Sequence, residues 1–395
     1  MSDRSGATTQ FVDDAALRRQ SDDQADVARA LLDVVRETCR DLHRQSTRRV
    51  EVSLDTSLER DLGLDSLARV ELLLRVERTF NVRLGENTLA LIETPQDLLT
   101  ALRAGTAASG GNLSVVARAT PQAAIKGEPD QATTLLEVLD WHVQRHPART
   151  QVIISSAEGE EEIPYGKLML EAAAVAARLQ ESRLEARQAV AIMLPTCPAY
   201  FYAYFGILLA GGIPVPIYPP ARLSQIEDHV RRHAGILSNA RAAVLITVPE
   251  AMAVARLLEA VVPGLREVIT TTDLPKARGE FTRVAVLSKD TAFIQYTSGS
   301  TGNPKGVVLT HANLLANIRA IGLALEISTD DVFVSWLPLY HDMGLIAAWL
   351  TSLYYGNPLV VMSPLTFLAR PESWLWAIHR HRGTLTAAPN FAYEL

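Results

Sequence analysis

The sequence predicts a small helical bundle followed by an α/β domain whose mostly parallel sheets are covered by helices. Three observations carry that expectation. Residues 27–104 repeat amphipathic helical patterns separated by loops. Residues 105–132, GTAASGGNLSVVARATPQAAIKGEPDQA, are dominated by small residues, Gly and Pro and read as a linker. From Thr133 to Leu395, short apolar strand-like runs alternate with helical runs of about ten or more residues, the pattern of βαβ units.

The 395 residues, 48% of them hydrophobic and 21% charged, are enough for more than one hydrophobic core. With 38 basic against 44 acidic residues the net charge is −6, which argues against nucleic acid as a partner. Only five of the basic residues are lysines: Lys126, Lys167, Lys276, Lys289 and Lys305. Cys39 and Cys197 fall in different parts of the chain and form no disulfide or metal-ligand pattern, which fits a reducing, cytoplasmic setting. Residues 1–26 are polar, mix acids with arginines and read as a tail rather than a targeting signal.

In the first domain the periodicity predicts helices over 27–43 and 66–80, with Leu67, Val70, Leu73, Leu74 and Phe80 on one face of the second, and a last helix opening at Thr94-Pro95. In the larger domain two stretches lack charge, 188–221 and 343–369, and on length alone could cross a membrane. Their Pro and Gly residues rule that out: VAIMLP, AYFYAYFGILLA and IPVPIY read as strand, buried helix, strand, and Gly356-Asn357-Pro358 splits the second stretch. No membrane span is expected.

Two strings carry chemistry. In LERDLGLDSL, a loop delivers Ser66 to the tip of the 66–80 helix. A serine there is by itself a common N-cap. With Leu62-Gly63-Leu64 before it and RVELLLRVERTF after it, the unit resembles the acyl carrier protein family, and the resemblance implies a 4'-phosphopantetheine arm on Ser66, placed by a phosphopantetheinyl transferase. The helix departs from the family's usual strongly acidic one by carrying Arg69, Arg75 and Arg78 beside Glu71 and Glu77.

The second string, FIQYTSGSTGNPKGVVLTH (293–311), sets a glycine-rich loop between two apolar strands. Backbone N–H groups freed by glycine, hydroxyl donors and one lysine suit a polyphosphate. The spacing is not that of a Walker A loop, because Lys305 precedes Gly306 and a strand follows. YTSGSTGNPKGV instead resembles the phosphate-binding loop of adenylate-forming enzymes. That resemblance implies that Thr297, Ser298, Gly299, Ser300, Thr301, Gly302 and Lys305 hold the ATP phosphates, with Thr301 and Lys305 catalytic and Mg²⁺ as cofactor. No residue of the chain is assigned as a metal ligand.

VSWLPLYHDMGL (334–345) brings His341 and Asp342 to the end of an apolar strand. It resembles the motif by which fatty acyl-AMP ligases face the acyl carboxylate and the α-phosphate, which makes both residues catalytic candidates and His341 a substrate contact. TAAPNFAYEL (386–395) resembles the acyl-pocket segment and implies substrate contacts from Pro389, Asn390 and Phe391. Tyr165-Gly166-Lys167-Leu168 and the run Pro214 to Pro220 resemble further landmarks of that subfamily, so the resemblance extends from Thr133 to Leu395.

What the resemblance implies is ATP-dependent activation of a fatty acid to acyl-AMP, followed by transfer to a phosphopantetheine thiol, in lipid or polyketide-type biosynthesis with downstream acyl-accepting enzymes as partners. The family's adenine, ribose and Mg²⁺-carboxylate positions and its later lysine have no counterpart up to Leu395, so the adenylate-forming domain is expected to be an incomplete, N-terminal portion with uncovered apolar surface and poor solubility. Two alternatives stand: a ligase that uses free CoA, and a non-catalytic carrier joined to an inactive adenylation remnant.

Overall fold

A computed structural model describes residues 26–40, 52–58, 61–62, 64, 66–84, 92–104, 106–107, 125, 127–156, 159–219, 226–274, 281–297 and 304–393. The expectations at Ser298, Gly299, Ser300, Thr301 and Gly302, and for the tail, fall outside these residues. The chain forms two compact units, Met1–Ser114 and Val115–Leu395.

The first unit is helical, as its periodicity requires. A helix over 26–40 buries Leu31 and Val35. The helix Ser66–Phe80 buries Leu73, one of the predicted face, together with Leu72 and Val76. Phe80 is half-buried, and the side chains of Leu67, Val70 and Leu74 lie outside the described residues. The helix Pro95–Ala104 opens where Thr94-Pro95 predicts: the Asp97 carboxylate accepts from the Glu93 and Thr94 N–H groups at 2.9 Å each. One feature was not legible. Asn81 takes a left-handed φ of 50° and turns the chain into β1 (Val82–Arg83), which pairs antiparallel with β2 (Thr106–Ala107).

The second unit is α/β. After the helix Leu135–Arg145 come β3 (Thr150–Ser156) and β4 (Gly159–Pro164), the helix Tyr165–Glu181, β5 (Ala189–Met193), the helix Pro198–Leu209, β6 (Ile213–Pro216), the helix Ile226–Ala240, β7 (Ala242–Thr247), the helix Met252–Val261 and β8 (Glu267–Thr270). Then β9 (Thr291–Thr297) and β10 (Lys305–Thr310) form an antiparallel pair. The helix His311–Leu325, β11 (Phe333–Ser335), β12 (Leu359–Val361), the helix Glu372–His381 and β13 (Leu385–Thr386) follow. Strands β6-β5-β7-β8 make a wholly parallel sheet. Strands β13-β11-β12-β3-β4 make a second sheet, parallel except for the β3/β4 hairpin.

Strand β5 explains the uncharged sequence around it. Val190 and Ile192 enter one core with the helices Tyr165–Glu181 and Pro198–Leu209, whereas Ala189, Ala191 and Met193 enter another with the helices Ile226–Ala240 and Met252–Val261. A strand covered on both faces has no polar side to show. The helix Pro198–Leu209 buries every residue from Ala203 to Leu209, and a Cβ on Gly206 would lie 2.5 Å from Val175 Cβ, so glycine sets the distance between it and the Tyr165–Glu181 helix. No described helix is long and apolar enough to cross a membrane.

Four buried histidines of this unit are held neutral. His142 donates from Nε2 to the Tyr354 carbonyl at 3.0 Å and stacks on Tyr165; burial pushes its pKa down to about 4. His311 accepts the Leu135 N–H at Nδ1 and is likewise pushed down to about 4. His229 and His233 stack on each other, and burial brings them to about 4 and about 3. An unfolded histidine titrates near about 6.5, so as pH falls through that value the unfolded chain gains protons that the folded chain refuses. Stability is therefore complete above about pH 7 and falls below it, by about 1 kcal/mol per buried histidine between about pH 6.5 and 5.5. Thermal melts across that range should show Tm dropping with pH, and a flat profile would contradict the neutral assignment.

Candidate active site

Ser66 is the first residue of the Ser66–Phe80 helix. The preceding loop is pinned by three buried leucines, Leu58, Leu62 and Leu64, and the Leu64 N–H donates to the Leu58 carbonyl at 2.8 Å. The Leu58 N–H in turn donates to the Glu93 carbonyl at 2.9 Å. The apolar residues of LERDLGLDSL thus anchor the loop and bring Ser66 to a helix start.

In the second unit the glycine-rich string spans the end of the β9/β10 hairpin. Thr297 and Lys305 face each other in register, and both are exposed. Tyr296 is tied to the Asn239 side chain by a 2.5 Å hydrogen bond, which links the end of β9 to the helix Ile226–Ala240.

The strand β11 ends at Ser335, and the chain then makes the turn that carries His341 and Asp342. Three bonds fix that turn. The Gln295 amide donates to the Tyr340 carbonyl at 2.7 Å, the buried Tyr200 hydroxyl donates to the Leu339 carbonyl at 2.7 Å, and the His341 N–H donates to the Pro338 carbonyl at 3.1 Å. Asp342 caps the next helix by accepting from the Met343 N–H at 2.8 Å. That helix, Met343–Leu350, is a π-helix, and the Thr351 hydroxyl donates to the Ile346 carbonyl five residues back. The apolar pattern predicts a helix here but not its wide register. Gly344 lies so close beneath the turn that a Cβ would sit 2.4 Å from the Pro338 oxygen.

A cavity of about 400 Å³ opens where these pieces meet. Pro216, Ile217 and Tyr218 at the end of β6, Gln295, Tyr296 and Thr297 at the end of β9, and Tyr340, His341 and Asp342 line it, with Arg232 and Ile236 from the helix behind. The structure therefore joins Thr297 to His341 and Asp342 in one cleft. Lys305 stands across the hairpin from Thr297 but is not among the lining residues, nor are Pro389, Asn390 and Phe391. Pro389 and Asn390 follow β13, which runs parallel to β11 and ends at the same sheet edge; the Phe391 side chain lies outside the described residues. Among the described residues no cluster of three or more His, Cys, Asp or Glu side chains could hold a metal.

Sequence patterns had not singled out Gln295, Tyr340 or Arg232. The first is a polar residue facing inward from an apolar strand, visible only once the strand's partners are known. Arg232 shares a helical phase with His229, His233 and Ile236, so the inward face of IEDHVRRHAGIL contained the signal.

Residues 139–395 match the family model described as AMP-binding enzyme, and residues 33–102 match the model described as phosphopantetheine attachment site. The chain belongs to the AMP-binding enzyme family. A medium-chain-fatty-acid–acyl-carrier-protein ligase of Moorena producens is 33% identical over 271 residues, covering 66% of this chain and 45% of its own. A long-chain-fatty-acid–AMP ligase of Mycolicibacterium smegmatis is 37% identical over 229 residues, covering 56% and 35%. The crystal structure of a fatty acid AMP ligase from Legionella pneumophila superposes with a TM-score of 0.61 at 32% identity, covering 68% of this chain and 46% of that one. The chain thus spans about half the length of the relatives it matches.

Replacing Gly344 with Ala should force the Pro338–Asp342 turn aside, destabilising the unit by about 1–3 kcal/mol. Tyr200→Phe, which removes one hydrogen bond to the turn and leaves the packing, should cost about 1 kcal/mol. Chemical denaturation of both variants checks the ranking.

Proposed function

We propose that this chain takes part in activating a fatty acid with ATP and in passing the acyl group to a carrier thiol. The observation that carries the reading is the cleft in which Thr297, at the foot of the phosphate-loop string, meets His341 and Asp342. A carboxylate is a poor acyl donor because its oxygen leaves badly. Attack of a carboxylate oxygen on the α-phosphorus of ATP forms one P–O bond and breaks the bond to the β-phosphate, releasing pyrophosphate and leaving AMP as the new leaving group. The hydroxyls of Thr297, Ser298, Ser300 and Thr301, the backbone at Gly299 and Gly302, and the Lys305 ammonium would offset charge on the departing pyrophosphate. Mg²⁺ bound with the nucleotide would add positive charge there. His341 and Asp342, held by the turn, would line the carboxylate's approach, and Pro389, Asn390 and Phe391 would serve the acyl chain.

Ser66 is the residue proposed to hold 4'-phosphopantetheine, which supplies a thiol nucleophile when attached. A phosphopantetheinyl transferase and downstream acyl-accepting enzymes are the partners this requires, and a cytoplasmic setting supplies ATP. The proposed parts are a carrier over 27–104, a linker over 105–132 and an adenylate-forming portion over 133–395. Joining both parts in one chain makes transfer to the arm an intramolecular step.

Incubation with CoA and a phosphopantetheinyl transferase should add the mass of one phosphopantetheine, mapped to Ser66 and absent in Ser66→Ala. With ATP, Mg²⁺ and a fatty acid but no CoA, the chain should release pyrophosphate, and Lys305→Ala should slow that release by about tenfold or more. Release that depends on free CoA, or that Lys305→Ala leaves unchanged, would overturn the assignment.

A further inference from the structure

Among the described residues that line the candidate cleft, one permanently charged cation is not used by the proposed chemistry. Arg232 projects from the helix Ile226–Ala240 into the cavity that Thr297, Tyr340, His341 and Asp342 also line. A guanidinium stays protonated at any working pH, so its charge is fixed. Its Nε is buried and, among the described residues, has no hydrogen-bond partner. Its carbon stands 5.9 Å from the centre of the Tyr218 ring, a contact that steers the group but satisfies none of its N–H donors.

The supports of Arg232 are rigid. Tyr218 meets the rings of both His229 and His233 edge-on, at 5.2 and 4.3 Å between centroids, and those two rings stack at 3.8 Å. His233 donates from Nδ1 to the His229 carbonyl at 2.8 Å. Both imidazoles are neutral near pH 7, so they give Arg232 no counter-charge. Among the described residues that line the cavity the one carboxylate, Asp342, caps its own helix through the Met343 N–H.

A fixed cation with a buried, unmatched donor, facing a cleft, is a binding group for an anion. We propose that Arg232 is a substrate-binding residue that donates hydrogen bonds to an anionic oxygen of the substrate, on a phosphate or on the fatty carboxylate. The inference rests on the reading of the cleft given above. A guanidinium offers paired donors that match either oxyanion, whereas a lysine at that position would offer only a point charge.

The test is isothermal titration of the 395-residue chain with inorganic pyrophosphate and, separately, with octanoate, comparing wild type, Arg232→Gln, Arg232→Lys and Lys305→Ala, each checked for an unchanged melting profile. Arg232→Gln should weaken one of the two ligands by about tenfold or more, with Arg232→Lys recovering part of the loss. Loss confined to pyrophosphate assigns Arg232 to the phosphates, and loss confined to octanoate assigns it to the carboxylate. If Lys305→Ala weakens pyrophosphate while Arg232→Gln changes neither ligand, this proposal fails and the reading of the cleft stands. If wild type binds neither ligand, the reading of the cleft fails and Arg232 loses its role with it.

Discussion

The buried indole of Trp349 is the contact on which the larger unit depends. Its ring makes edge-on contacts with Tyr200, Phe201, Tyr204 and Phe205, all from one helix, at 4.7–6.2 Å between centroids. Its Nε1 donates to the Gln151 side chain at the start of β3, at 3.1 Å. One side chain thus ties the π-helix that leaves the His341–Asp342 turn to the helix that follows β5 and to the second sheet. Aromatic edges meeting an aromatic face fix orientation as well as distance. Because the same helix sends Tyr200 to the Leu339 carbonyl, the turn is held from both of its ends.

That arrangement shows what the linear sequence could and could not reveal. The helix Ser66–Phe80 begins and ends at the predicted residues, and the uncharged run around Pro198–Leu209 resolves into strand, buried helix and strand, because Pro, Gly and apolar period are local signals. The π-helical register of Met343–Leu350 was hidden, as was the close approach of Gly344 to the Pro338 carbonyl, because apolar spacing alone does not distinguish an α-helix from a π-helix. The β1/β2 pairing was hidden as well, being two residues long and set by one left-handed Asn81.

The site followed the same division. Residues that belong to contiguous strings, from Thr297 to Lys305 and at His341-Asp342, are proposed from chemistry and resemblance, and the structure brings Thr297, His341 and Asp342 to one cleft. Arg232 and Gln295 are placed by partners distant in sequence, Tyr218 in one case and Tyr340 in the other. The cleft is also electrostatically lopsided. His229 and His233 behind it are neutral near pH 7, Asp342 caps a helix N-terminus, and Arg232 sets a fixed positive charge among the lining residues.

The central claim is that the cleft between the end of β6, the β9/β10 hairpin and the His341 turn receives the adenylate and its phosphates. A crystal structure of the chain with a non-hydrolysable acyl-adenylate analogue tests it most directly. The account predicts the analogue's phosphate-mimicking group within hydrogen-bond reach of the Thr297–Lys305 loop, with His341 beside its acyl linkage. Analogue bound elsewhere on the larger unit, with this cleft filled by solvent alone, would contradict it.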